Sequence, residues 1–167
     1  VLLSMQARLR SDLDEIVTGS ATVPLNDAER DGLNARAEAL RGEIEALEQA
    51  PDDFTTVPPL NELHTRVYAL NAPVLRARGY DGLTAWHRYR YDPLQPLDSP
   101  AQPPAEPPVL SVRMMRDEHR AEVLNLTNPT RAALTAMVRA SGLGRHARVL
   151  ALREVIFTDT RDGTPVA

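Results

Sequence analysis

The chain has 167 residues, of which 43% are apolar and 25% charged, with a formal net charge of −4. That length holds one medium domain or two small ones, and no run approaches the roughly 18 apolar residues of a membrane-spanning helix. The negative balance argues against a general nucleic-acid binder; the absence of cysteine excludes disulfides and thiolate chemistry, and the absence of lysine excludes Schiff-base catalysis and a P-loop lysine.

The acidity sits at the front. Residues 1–59 hold 5 Arg against 12 acids, residues 60–92 hold 5 Arg against 3, and residues 93–167 hold 9 Arg against 8. Within the acidic third, Leu2, Met5, Leu9, Leu13 and Ile16 recur at three- and four-residue steps, which predicts one amphipathic helix. Gly19 and Ser20 break it. Asn26 then precedes Asp27-Ala28-Glu29, the pattern of a capping box, and Leu33, Ala37, Leu40, Ile44 and Leu47 follow at 4-3-4-3 spacing. This second helix should stop before Pro51, giving a helical hairpin. A third helix is predicted from near Pro59, with Leu60, Leu63, Val67, Leu70 and Val74 inward. Pro73 should kink or end it around Ala72, and Gly79 supplies a stop.

Residues 80–92 gather the only tryptophan, Trp86, with Tyr80, Tyr89 and Tyr91. Residues 93–108 hold seven of the fourteen prolines, the composition of an extended linker. Beyond them the apolar period changes to two. Leu110, Val112 and Met114 alternate with polar residues, as do Leu124 and Leu126, then Leu134, Ala136 and Val138, with a longer strand from Val149 to Thr158. Asn128-Pro129, Ser141-Gly142-Leu143-Gly144 and Asp162-Gly163 mark turns at the spacing of an all-β sandwich.

Together these elements predict an α+β fold. A helical hairpin plus a third helix occupies residues 1–79, an aromatic segment and proline-rich linker 80–108, and a partial antiparallel β-sandwich 109–167. A complete sandwich uses roughly 100 residues and about seven strands, so the expectation includes truncation at the C-terminus. The alternative is a short sheet packing directly on the helices.

The chemistry-bearing residues are few. In a strand, Trp86, Arg88 and Arg90 would share one face, and His87, Tyr89 and Tyr91 the other. Aromatic faces stack on sugar rings, so Trp86, Tyr89, Tyr91 and Arg88 are the candidate ligand-binding residues. Anchoring of the helices onto the sheet is the structural use of the same cluster. Arg88 and Arg90 could also contact single-stranded nucleic acid, against the overall charge. His64, His87, His119 and His146 are scattered, so neither a metal nor another cofactor is expected. Asp117-Glu118-His119 reads as a charged turn, because neighbours on a strand point to opposite faces and do not converge on one substrate atom. No catalytic residue is assigned. Asn125-Leu126-Thr127 matches a glycosylation sequon and is read as chance.

Several runs in residues 111–167 carry a family resemblance. They are Ser111-Val112-Arg113-Met114-Met115-Arg116-Asp117-Glu118-His119-Arg120, then Asn125-Leu126-Thr127-Asn128, then Val138-Arg139-Ala140-Ser141-Gly142-Leu143, and finally Leu152 through Gly163. This pattern resembles the β-sandwich ahead of the catalytic barrel in glycoside hydrolase family 123-like proteins, and covers about a third of the chain. Those are secreted bacterial proteins acting on N-acetylhexosamine-containing glycans, with an adjacent Asp-Glu pair in the barrel. Asp117-Glu118 lies in the sandwich segment and is not that pair. The resemblance implies a non-catalytic accessory module of a secreted carbohydrate-active protein, extracellular or periplasmic. Its partners would be a glycan and its own downstream catalytic domain. The competing expectation is a helical protein–protein interaction module, presenting the Leu33 to Leu47 stripe to a partner.

Overall fold

The computed structural model describes residues 1–113, 115, 117–142, 150–159 and 165–166. Helix α1 spans Leu2–Ser20, α2 Asp27–Glu45, α3 Glu62–Ala69 and α4 Asn71–Ala77. The described strands are short: β1 is Thr84–Trp86, β2 Asn125–Thr127, β3 Thr158–Asp159 and β4 Pro165–Val166.

The two long helices form an antiparallel pair, and local chemistry sets their ends. Asn26 Oδ1 accepts from the Glu29 backbone N–H at 2.9 Å, while Glu29 accepts from the Asn26 N–H at 3.3 Å. This reciprocal capping box satisfies two backbone donors that helix geometry leaves unpaired. At the other end of α2, Gln6 from α1 donates to the carbonyls of Ile44 at 2.9 Å and Leu47 at 3.1 Å. A buried glutamine thus supplies the donors that the last turn of α2 lacks.

The third helical stretch starts at Glu62 rather than near Pro59. Asn61 is its cap, accepting from the His64 N–H at 2.8 Å. The run then breaks at Leu70 and resumes as α4, with Pro73 in its first turn, where the missing N–H has no intrahelical acceptor to lose. Gly79 takes φ +97° just beyond α4, a conformation that favours glycine.

Apolar stripes meet between these helices. Met5, Leu9, Leu13 and Ile16 of α1 pack with Ala37, Leu40 and Ile44 of α2 and with Leu60, Val67 and Leu70 around α3. A second cluster joins Val23, Leu25, Leu33 and Val74. Each fully buried leucine or isoleucine contributes about 1.5–3 kcal/mol of apolar transfer. The Leu33–Ile44 stripe is therefore inside the bundle, and the surface on which a helical interaction module would rest is already covered.

The proline-rich residues run back along the helices. Leu97 packs on the main core, Tyr80 donates to the Pro100 carbonyl at 2.9 Å, and Arg88 pairs with Asp98 at 2.7 Å. Gly79 faces Pro103, so a Cβ there would sit 3.6 Å from the proline ring.

The expected α+β fold with a partial β-sandwich is overturned. Among the described residues the regular structure is mostly helical, and the strands form only two two-stranded antiparallel pairings. In one, Thr84, Ala85 and Trp86 face Thr127, Leu126 and Asn125; in the other, Thr158 and Asp159 face Val166 and Pro165. The predicted strands at Leu110–Val112 and Leu134–Val138, and the part of the fourth strand from Leu150 to Phe157, have no ladder partner among the described residues. Leu110, Val112, Leu134, Val138, Leu152 and Val155 are exposed there. A strand exists only when its backbone groups find a neighbour. Here alternation occurs without pairing. Met114, Val149, Leu143-Gly144 and the Asp162-Gly163 turn lie outside the described residues.

Candidate functional site

The four candidate ligand-binding residues divide into two pairs. Trp86 ends β1, directly opposite Asn125 of β2, and is 5% exposed. Its indole N–H donates to Thr127 Oγ1 at 2.9 Å. The Arg88 guanidinium lies 5.7 Å from the indole centroid and donates to the Pro93 carbonyl at 2.9 Å as well as to Asp98. Trp86 and Arg88 thus hold the small sheet to the proline-rich segment, the anchoring use of the cluster. A ring this deeply covered offers no face to a sugar.

Tyr89 and Tyr91 are outside. The chain leaves β1 after Trp86 and turns, with the Asp92 N–H donating to the Tyr89 carbonyl at 2.9 Å. The turn projects both rings into solvent, 55% and 73% exposed. Their centroids are 5.4 Å apart with planes at 76°, an edge-to-face pair. Arg90 lies 4.9 Å from the Tyr91 ring and 5.8 Å from that of Tyr89, both within cation–π reach. Arg90 is in turn ion-paired with Glu122 and donates to the Ala121 carbonyl at 3.1 Å. His87 Nε2 lies 3.4 Å from the other Glu122 oxygen. The result is an aromatic surface stiffened from behind by a carboxylate. With Arg88 on Asp98 and Arg90 on Glu122, neither arginine of this segment is an uncompensated charge for a nucleic-acid backbone.

Asp117-Glu118-His119 is a charged turn as expected. Glu118 accepts from the Met115 N–H at 2.8 Å and from Arg120 at 2.7 Å, and these donors, the backbone one first, hold its carboxyl below the ordinary range.

A polar cluster that the sequence reading did not single out lies in the helical core. Asp12 of α1 and His64 of α3 are both 0% exposed. His64 Nδ1 accepts from the Leu60 backbone N–H at 3.1 Å, which leaves Nε2 to carry the proton and donate to Asp12 Oδ2 at 2.8 Å. Tyr68 donates to the same oxygen at 3.0 Å and Arg8 Nε at 3.1 Å. Arg8 Nη2 lies 2.7 Å from Oδ1 as the second arm of the ion pair, without hydrogen-bond alignment. Burial, then the Asp12 charge, pushes the Tyr68 hydroxyl far above its ordinary value, and the same two causes raise Glu15. The composition is that of a catalytic dyad, but no substrate atom reaches a pair sealed on every side. Its work is to tie α1 to α3. The signal was present: Met5, Leu9, Asp12 and Ile16 follow 4-3-4 spacing, which puts Asp12 on the buried stripe.

Among the described residues, no group of three or more histidines and carboxylates is arranged to hold a metal ion. No described helix is long and apolar enough to cross a membrane. Comparison with known proteins finds no matching family model, no matching curated protein and no matching solved structure.

Proposed function

We propose that the chain is a non-catalytic binding module that presents Tyr89, Tyr91 and Arg90 to a saccharide. The observation that carries this reading is the exposure of both rings on a turn whose central arginine is already ordered by Glu122. Preorganised aromatic rings contact a flat apolar sugar face with little further loss of side-chain freedom. The rings meet at 76°, so one sugar stacks on one ring while the second ring walls the site. The resemblance of residues 111–167 to carbohydrate-active proteins, though not the β-sandwich it implied, makes N-acetylhexosamine oligosaccharides the first ligands to try. Trp86 and Arg88 leave the proposed contact surface, because both already serve the fold.

Calorimetric titration of the full chain with N-acetylhexosamine oligosaccharides tests the proposal. An aromatic contact is worth about 0.5–1.5 kcal/mol, so each of Tyr89→Ala and Tyr91→Ala should weaken binding by roughly two- to twelvefold. Absence of binding to the parent chain, or equal binding by the double variant, removes the proposal.

A further inference from the structure

Three of the eight arginines in residues 1–79 have a carboxylate: Arg8 has Asp12, Arg41 has Asp14 and Glu38, and Arg66 has Glu43; Arg30, Arg76 and Arg78 donate to carbonyl or hydroxyl oxygens instead. Arg36 of α2 and Arg131 differ. Neither meets a carboxylate within ion-pair distance among the described residues, yet both lie on the same groove. One compartment of about 320 Å³ is lined by Asn26, Glu29, Gly32, Arg36, Pro73 and Arg131, among others. A second, also about 320 Å³, is lined by Arg36, Leu40, Arg66, Leu70 and Arg131, with alanines between. Arg36 and Arg131 belong to both, so the two compartments share a basic waist. Arg76 of α4 stands nearby and donates to the Pro129 carbonyl at 3.2 Å, which holds the chain just before Arg131 against the helices.

We propose that this groove between α2 and the α3–α4 run binds a small organic oxyanion, with Arg36 and Arg131 as its charged clamp. Three features of the site favour that ligand class. Unpaired guanidiniums that line one groove repel, and an anion between them turns the repulsion into attraction. Desolvation, then the neighbouring charges of Arg36 and Arg76, holds the Arg131 guanidinium below its ordinary value, the mark of cations crowded without a counter-ion. The floor is apolar, with Leu33, Leu40, Leu70 and Pro73, so a ligand larger than a bare ion has surface to cover. One carboxylate, Glu29, lines the first compartment and keeps its charge while accepting from the Asn26 N–H, so the anion is expected on the second-compartment side of the waist; Glu43, paired with Arg66, lines neither compartment. The site is independent of the Tyr89–Tyr91 surface, and no argument for one depends on the other.

Calorimetry on the full chain at low ionic strength, with pyrophosphate in one arm and citrate in the other, decides the matter. One-to-one saturable binding is expected in at least one arm. Tighter pyrophosphate points to a phosphoester ligand and tighter citrate to a carboxylate. Arg36→Ala and Arg131→Ala should each weaken that binding about tenfold, and the double variant should abolish it. Arg113→Ala, an exposed arginine elsewhere, should leave it unchanged. Arg36 and Arg131 are exposed, so helical circular dichroism of the variants should match the parent. The proposal fails if neither anion saturates the parent chain, or if the double variant binds as the parent does.

Discussion

Replacing Asp12 with alanine tests the central claim about how this fold is held. One carboxylate accepts from His64, Tyr68 and Arg8 while itself being sealed from solvent. Among the described residues, removing it leaves the His64 N–H buried with no acceptor and the Tyr68 hydroxyl with none either. It also deprives Arg8 of its counter-charge. Breaking a buried pair by deleting one partner costs about 3–5 kcal/mol. The three lost contacts do not add beyond this, because they share one acceptor. The Arg8 side chain is 18% exposed and can turn to water, which favours the lower half of the range. For a chain of this size each kcal/mol moves the midpoint by about 2–4 °C, so Asp12→Ala should lower it by roughly 10 °C. Asp12→Asn keeps a carbonyl acceptor and should recover part of the loss. A double-mutant cycle with His64→Ala, read by urea unfolding at 222 nm, should give a coupling of about 1 kcal/mol or more. The reasoning is refuted if Asp12→Ala unfolds within about 1 kcal/mol of the parent, or if the two substitutions are additive.

Two further outcomes follow from the same structure. The Tyr68 hydroxyl is raised in the folded chain, so its contribution is fully present below the free tyrosine value of about 10 and is lost as pH rises toward the folded value. From this group the parent should lose up to about 1.4 kcal/mol per pH unit above pH 10, and Tyr68→Phe should show a shallower alkaline slope; equal slopes in the two chains contradict the assignment. Trp86 is the only tryptophan and is buried by the β1–β2 pairing, so iodide should quench its fluorescence poorly in the native chain and well in urea. Thr127→Val, which strands the indole N–H, should lower stability by about 1–3 kcal/mol and increase quenching; a native chain quenched as fully as the unfolded one would place Trp86 at the surface.

What could be read in advance depended on whether the deciding contacts were local. The Asn26–Glu29 box, the stripes of α1 and α2 and the stop at Gly79 are set by residues within a few positions of each other, and all were legible. The helix break at Leu70 rather than Ala72 reflects a detail of the same kind: Pro73 is tolerated two residues inside a new helix, so the break falls before it. The sheet was misread because alternation along one segment says which face a strand would bury, and says nothing of whether a second segment arrives to pair with it. Asn125–Thr127 becomes a strand because Thr84–Trp86 lies beside it; Leu134–Val138 carries an equally good pattern and has no such neighbour among the described residues. The aromatic segment was misread for a related reason. Assigning Trp86, Arg88 and Arg90 to one strand face assumed that the strand continued past Trp86, whereas the turn at Tyr89 to Asp92 separates a buried indole from two exposed phenols. Asp12 was missed because a carboxylate on an apolar stripe invites the assumption that it points away, and its partner His64 lies 52 residues along the chain.

The core cluster and the proposed anion groove also differ in how they answer to salt, and that difference separates fold from site. Helix α3 is fastened to α1 by Asp12–His64, with side chains 1% and 0% exposed, and to α2 by Arg66–Glu43, with side chains 49% and 45% exposed. Ions reach the second contact and not the first. An exposed pair is worth about 0–1 kcal/mol even at low salt, so screening it costs the bundle little. The apolar core shared by α1, α2 and α3 does not depend on ionic strength in this range, and the buried pair is screened far less than any surface charge. The groove walls should therefore keep their spacing as salt rises. Attraction between an oxyanion and the exposed guanidiniums of Arg36 and Arg131 should fade over the same range, because those charges face water. Weaker anion binding with an unchanged melting point is thus the signature of a surface clamp on a rigid support. The melting point that decides this is the anion-free chain's, because any ligand bound to the folded state raises it; if that melting point fell as salt weakened binding, the bundle itself would be giving way and screening of a surface clamp would not be the cause.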